Sequence, residues 1–123
     1  MKKHFYITTP IYYVNDKPHI GHAYTTILAD VLSRYSRQSQ RETFFLTGLD
    51  EHGQKVQEAA SKLSVDPKKH CDIMAPRFTS LWEKLHISND DFIRTTEERH
   101  KRVVSKILQI VMDNGDIYEA EYE

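Results

Sequence analysis

The sequence predicts an α/β protein built on a parallel sheet with flanking helices. Three observations carry that expectation. Short aromatic and β-branched runs alternate along the chain with amphipathic segments of ten or more residues. The runs are joined through helices, as parallel strands require, with crossovers expected to be right-handed. Two segments of unusual composition, Thr9 to His22 and Thr47 to Gly53, each follow a strand directly. In parallel sheets that is where ligands bind, beyond the carboxyl ends of the strands.

Taken in order, His4 to Thr9 (HFYITT) is the first strand, closed by Pro10. Ile11 to Pro18 (IYYVNDKP) is a loop with large apolar and aromatic side chains, which predicts that it lines a pocket. After Pro18, Ile20, Tyr24, Ile27, Leu28, Val31, Leu32 and Tyr35 recur at helical spacing. Thr25, Asp30, Ser33, Arg34 and Arg37 fall on the other face of that helix. Thr43 to Thr47 (TFFLT) is the second strand, ended by Gly48, and a helix with Val56, Ala59, Ala60 and Leu63 on one side follows. Asp66-Pro67 opens the next helix, with Asp as N-cap and Pro at its first position. Its core face is Met74, Phe78, Leu81, Trp82 and Leu85, and Pro76 predicts a kink. Asp91 to Thr95 is a third strand, and Thr96 to Arg99 opens a helix whose core face is Val103, Val104, Ile107, Leu108, Val111 and Met112. Asn114-Gly115 ends that helix with a left-handed cap. The tail from Asp116 to Glu123 (DIYEAEYE) reads as a last strand with Ile117 against the core.

Composition narrows the function. The 123 residues make one domain or a piece of one. Hydrophobic residues at 39% exclude disorder, and a net charge of −1 excludes nucleic-acid binding by overall charge alone. A single cysteine, Cys71, excludes a disulfide framework and a cysteine-built zinc site within these residues. No run approaches the ~20 apolar residues of a membrane span. His4, Pro10, Asn15, Asp16 and Lys17 interrupt anything like a signal peptide after Lys2-Lys3, so the expected location is cytoplasmic.

The chemistry concentrates in His19-Ile20-Gly21-His22, at the start of the first helix. A helix N-terminus presents free N–H groups and a positive dipole end, which suits phosphate. Gly21 leaves the backbone open to a flat group such as a nucleobase. Histidines at i and i+3 share one side and can both donate to one polyphosphate, most usefully as charge builds in a transition state. A bare pair of this kind is more often a helix cap or a core histidine, and its spacing fits no common metal-ligand pattern.

The surrounding residues decide more. Thr8 to Tyr35 (TTPIYYVNDKPHIGHAYTTILADVLSRY) resembles the signature region of class I aminoacyl-tRNA synthetases, and in detail their methionine-specific branch. FFLTGLDEHGQK, DDFIRTTEERH and DNGDIYEAEYE are similar to further segments of that family, collinear over essentially the whole chain. The resemblance implies a Rossmann-type nucleotide-binding fold and formation of an aminoacyl-adenylate from ATP and methionine, followed by transfer to initiator and elongator methionine tRNA. It implies that His19 and His22 hold ATP phosphates, with Mg2+ bridging them, and that Gly21 lies under adenine. Ile11 and Tyr13 are implied to line the methionine pocket, and Asp50 to pair with the substrate ammonium. No side chain is needed as a nucleophile.

The resemblance also implies parts with no counterpart among these residues: a zinc-knuckle insertion, a half-fold with a KMSKS-type loop, and an anticodon-binding domain. The expectation is therefore an N-terminal half of a catalytic domain, with no zinc or other metal site of its own. Two other functions compete. One is a non-catalytic nucleotide- or methionine-binding fragment; the other is a small HxGH-type nucleotidyltransferase, against which PIYYVND argues. Tyr12 and Tyr24 are expected to pack rather than touch ligand, His52 is evenly placed between the two roles, and Trp82 belongs to the core. His70, His86 and His100 are expected on solvated helix positions. Arg94, Arg99, Lys101, Arg102 and Lys106 read first as a solvated face and second as a tRNA contact.

Overall fold

The computed structural model describes residues 3–121. Three of the expected strands form, as β1 (His4–Thr8), β3 (Glu42–Asp50) and β4 (Asp91–Arg94), and a further short strand, β2 (Tyr12–Tyr13), lies inside the segment expected to be a loop. The periodic segments become α1 (Ile20–Gln38), α2 (Gln54–Lys62), α3 (Pro67–Lys84) and α4 (Glu98–Asp113). All pairings are parallel, in a four-stranded sheet centred on β3. Leu46 is register partner to both Thr8 and Asp91, and Leu49 to both Tyr12 and Arg94, so β1 and β2 flank one side of β3 and β4 the other. This is the expected parallel sheet with flanking helices. No helix among the described residues is long and apolar enough to cross a membrane.

Gly48 does not end the second strand. β3 runs through it to Asp50 because a Cβ there would stand 2.1 Å from the Ile93 carbonyl oxygen; the missing side chain lets β4 pair closely. Gly48→Ala must push the two strands apart. Its expected cost is about 2 kcal/mol or more, read as a lower melting temperature and lower soluble yield than the parent. An unchanged melting temperature would show that β4 can move away freely.

Period-two alternation sets the buried face of the sheet, with Phe45, Thr47 and Leu49 buried. The core joins Tyr12, Val14 and Leu49 to Val56 of α2 and to Cys71, Met74, Ala75, Phe78 and Trp82 of α3, with Leu81 and Leu85 packed against it. The α3 core face, including Trp82, is therefore as the spacing predicts. Asp66 caps α3 by accepting from the N–H groups of Lys68 and Lys69, with Pro67 at the start and Pro76 inside. On the opposite face of the sheet Tyr6 and Phe44 stack on each other, both exposed.

Several expectations fail, for related reasons. The apolar stripe of α1 faces outward: Ile20, Tyr24, Ile27, Leu28, Val31, Leu32 and Tyr35 are all exposed. Its small and polar side, Thr26, Ala29, Asp30, Ser33 and Ser36, is buried instead. Short side chains let the helix lie close over β1 and β3, and Asp30 ties it to Ser88, in the segment between α3 and β4. The carboxylate of Asp30 accepts from the Ser88 backbone N–H at 2.7 Å, the Ser88 hydroxyl at 2.6 Å and Arg34 Nε at 2.6 Å. Burial alone would raise this carboxyl, yet the bonds from Ser88 and Arg34 hold it below the ordinary carboxylate range.

The apolar residues of α4 are likewise not core: the helix buries none of its residues. Tyr24 is 70% exposed, so it does not pack within these residues. The tail is not a strand. Residues 116–121 are irregular and Ile117 is exposed, and they pair with none of the described strands; residues 122–123 lie outside the described residues. The α4 terminus is as expected, with Gly115 at φ +80° just after the cap.

Candidate active site

Parallel pairing brings the two unusual segments together. Tyr13 of β2 lies in register with Asp50 at the carboxyl end of β3. Ile11, Tyr12, Tyr13, Asn15, Asp16, Lys17, His19 and His22 line one cavity of about 380 Å³, so the loop does line a pocket. Tyr13, Asp50, His52, Gly53, Gln54, Lys55 and Glu58 line a second, of about 570 Å³. Tyr13 borders both. The structure thus gathers His19, His22, Ile11 and Tyr13 around one hollow, and Asp50 with Tyr13 around its neighbour; Ile11 does not reach the Asp50 side.

At the start of α1 the two histidines cap the helix and each other. His19 Nδ1 accepts from the Gly21 N–H at 3.1 Å, and His22 Nδ1 accepts from the His19 N–H at 3.1 Å. The imidazoles stack with centroids 3.8 Å apart. An accepting Nδ1 requires the neutral tautomer with hydrogen on Nε2. Capping therefore leaves two Nε2–H donors side by side, so the capping role and the phosphate role are compatible. No acidic residue occupies the first turn to compete for an anion. Gly21 has a local reason as well: a Cβ there would stand 2.9 Å from His19 Cε1 and push the ring out of its cap.

His22 sits edge-on to Tyr12 at 4.7 Å and tilted against Phe78 at 5.4 Å. Burial, and then the charge of His19, lower its pKa from the ordinary histidine value. The folded chain therefore binds fewer protons than the unfolded chain just below about pH 6.5. The stability contributed by neutral His22 is intact above that pH and is lost as pH falls toward the lowered folded value. Protonation also turns the accepting Nδ1 into a donor and breaks the cap. An NMR titration of the imidazole carbons is expected to give His22 a midpoint under about 6.5; a midpoint above it would contradict this packing.

Tyr12 packs, as expected: it is buried, and its hydroxyl hydrogen-bonds the Thr26 hydroxyl at 2.9 Å. On the second cavity, Asp50 is half-buried and its Oδ1 accepts from the His52 N–H at 3.3 Å. His52 Nε2 lies 3.2 Å from the Thr95 carbonyl, which favours its loop role, although the ring also borders the cavity. Lys55 Nζ stands 5.9 Å over the Tyr13 ring.

Sequence reasoning missed the anchor behind Asp50. Glu51 is 4% exposed and accepts from Arg94 Nε at 2.6 Å and from the Thr96 hydroxyl, while its N–H donates to Thr95 Oγ1 at 2.9 Å. Arg94 also reaches Asp72 at 2.6 Å, which ties β4, the Asp50 loop and α3 together. Arg94 is thus a half-buried strand residue rather than part of a solvated helix face. Period two could have found the pair: Phe45, Thr47, Leu49 and Glu51 share one inward side, and a buried carboxylate needs a cation. His70 was also misplaced. It is 2% exposed and its Nε2 bonds the Val14 carbonyl at 2.8 Å, pinning the segment just after Tyr13 to α3. Burial, and then Glu51, push the nearby Cys71 thiol up to about 11, so it is an inert core group.

Comparison with known proteins bears on the family and the fold. The model of the family described as tRNA synthetases class I (M) matches residues 5–123. A methionine–tRNA ligase of Rickettsia bellii is 58% identical over 123 residues, covering 100% of this chain and 24% of that protein. One of Fusobacterium nucleatum is 56% identical over the same length, 19% of that protein. The solved Mycobacterium tuberculosis methionyl-tRNA synthetase in complex with methionyl-adenylate superposes with a TM-score of 0.92 at 39% identity. That match covers 96% of this chain and 23% of the other. The chain spans about a quarter or less of the length of these relatives.

Proposed function

The chain belongs to the class I tRNA synthetases of the (M) family, and from that premise we propose that it supplies the phosphate- and amino-acid-binding half of a methionine–tRNA ligase. The observation that carries the reading is the pair of stacked histidines at the α1 N-terminus, each with Nε2 left free by its cap. Beside them, across Tyr13, lies a hollow with a carboxylate at its edge. The names of the relatives support the substrate: they are ligases of methionine, and one structure holds methionyl-adenylate.

In this reading ATP lies with its phosphates at the His19 and His22 Nε2–H donors and its adenine against Gly21. Methionine lies along Tyr13 and Ile11 with its ammonium toward Asp50. The methionine carboxylate attacks the α-phosphorus in line, the bond to the β-phosphate oxygen breaks, and pyrophosphate leaves with its electron pair. A terminal hydroxyl of methionine tRNA then attacks the adenylate carbonyl and AMP departs. The work of the side chains is positioning and charge stabilisation. Mg2+ arrives on the ATP phosphates as part of the substrate. The contribution of this half is the pair of hydrogen-bond donors at the α1 start. The outward apolar faces of α1 and α4 fit a half-domain that the rest of a catalytic fold covers.

Asp50→Ala in the full-length enzyme carrying this chain tests the pocket assignment. The expected result is methionine affinity weaker by about 2–5 kcal/mol, the cost of leaving an ammonium without its partner, with ATP affinity nearly unchanged. Calorimetry of both ligands decides it. Unchanged methionine affinity would make Asp50 a purely structural residue.

A further inference from the structure

A third hollow, of about 510 Å³, lies between the loop that precedes α1 and one flank of α3, and Lys17, Pro18, Pro76, Arg77, Ser80 and Lys84 line it. Arg77, Ser80 and Lys84 recur at i, i+3 and i+7, beside the buried face of Met74, Phe78 and Trp82. Together they span about 10 Å of helix axis. No carboxylate lines the hollow. Arg34, Arg37, Arg94 and Arg99 each hold an ion pair, whereas Lys17, Arg77 and Lys84 hold none among the described residues. In a chain of net charge −1, three uncommitted cations on one concave surface are an anion site by charge and by shape. Lys17 also lines the cavity of His19 and His22, so the hollow opens directly beside the phosphate end of the candidate active site.

We propose that Lys17, Arg77 and Lys84 form a groove for the phosphodiester backbone of the RNA strand whose terminus is charged at the neighbouring site. The identity of the RNA rests on the function proposed above; the groove rests on its own charges. A polyphosphate at the histidines is one point of negative charge, but the cations of this hollow are spread over two turns of α3 and Lys17. Two proline rings shape its wall without adding donors, and the Ser80 hydroxyl adds one. Cations along an RNA strand fix its position and path without reading bases.

The test uses the full-length enzyme carrying this chain, with Arg77→Gln and Lys84→Gln made together; both side chains are exposed. Neither borders the cavities of His19 or Asp50, so methionine-dependent pyrophosphate exchange is expected to stay at the parent rate. The dissociation constant for methionine tRNA is expected to rise about tenfold at moderate salt. The slope of log affinity against log salt is expected to become shallower by about one to two phosphate contacts. The swap Arg77→Lys with Lys84→Arg, which keeps both charges, should restore slope and affinity. Parent-like tRNA affinity and slope in the glutamine variant would overturn the groove, and so would weaker binding with an unchanged slope. A parent enzyme without methionine-dependent exchange would overturn the function instead, while the salt slope with tRNA would still judge the groove.

Discussion

His19→Asn combined with His22→Asn, in the full-length enzyme carrying this chain, is expected to slow methionyl-adenylate formation by ~10²–10³-fold or more, the usual loss for a transition-state donor. ATP affinity should change far less. The difference follows from where the histidines bond in the ground state. Both Nδ1 atoms are spent on backbone N–H groups, and only the Nε2 donors are left for phosphate oxygens, which gain charge as the α-phosphorus is attacked. Asparagine separates the two roles. It is among the best N-cap residues, so at position 19 it can still accept from the Gly21 N–H, but its shorter side chain cannot carry a donor to where Nε2 stands. At position 22 it also gives up the contacts with Tyr12 and Phe78, and a modest drop in melting temperature is expected there. Single-turnover measurement of adenylate formation, beside ATP affinity, separates these effects. A double variant with parent burst kinetics would remove both histidines from catalysis and leave them as caps alone.

The sequence was most legible where one local rule sufficed. Asp66-Pro67 opened α3, Asn114-Gly115 closed α4, and the spacing of Met74, Phe78 and Trp82 named the α3 core face, because caps and periodicity act over a few residues. The meeting of Tyr13 with Asp50 also followed, since both segments were placed at the carboxyl ends of parallel strands. Long-range pairs were harder. Glu51 with Arg94 and His70 with Val14 join residues far apart in sequence, and a charged or polar residue looks solvated until its partner is known. Gly48 misled because a glycine marks both a strand end and a close approach, and only the position of Ile93 tells them apart. The faces of α1 misled for a deeper reason. Periodicity reports that a helix has an apolar side, not which neighbour covers it; within these residues the small-residue side of α1 meets the sheet, and the apolar side is left for something else.

That open side leads to the expectation that the 123-residue chain, expressed alone, self-associates and charges no measurable methionine tRNA beside an enzyme of full family length. Seven large apolar or aromatic side chains of α1 are exposed, from Ile20 at 86% to Ile27 at 42%. Val103, Val104, Ile107, Leu108, Ile110 and Met112 of α4 are exposed as well, and Tyr6 stacks on Phe44 in the open. Monomeric soluble proteins rarely expose contiguous apolar surface beyond a few hundred Å². Among the described residues the sheet also exposes Tyr6 and Phe44 on one face, where a doubly wound parallel sheet buries both faces. The driving force for association is then the ordinary gain from removing apolar surface from water. Catalysis fails for a separate reason. Two Nε2–H donors, one helix terminus and Lys17 at the cavity wall compensate only part of the charge on a departing pyrophosphate in the proposed arrangement. Slow adenylate formation remains compatible with the half-site, because holding two substrates in line supplies part of the acceleration by itself. Sedimentation of the purified chain, binding of a hydrophobic dye, and tRNA charging assayed in parallel test both statements. A monodisperse monomer that binds no dye would show that the α1 and α4 faces are tolerated in water, and charging equal to that of the longer enzyme would show that the half-site is sufficient.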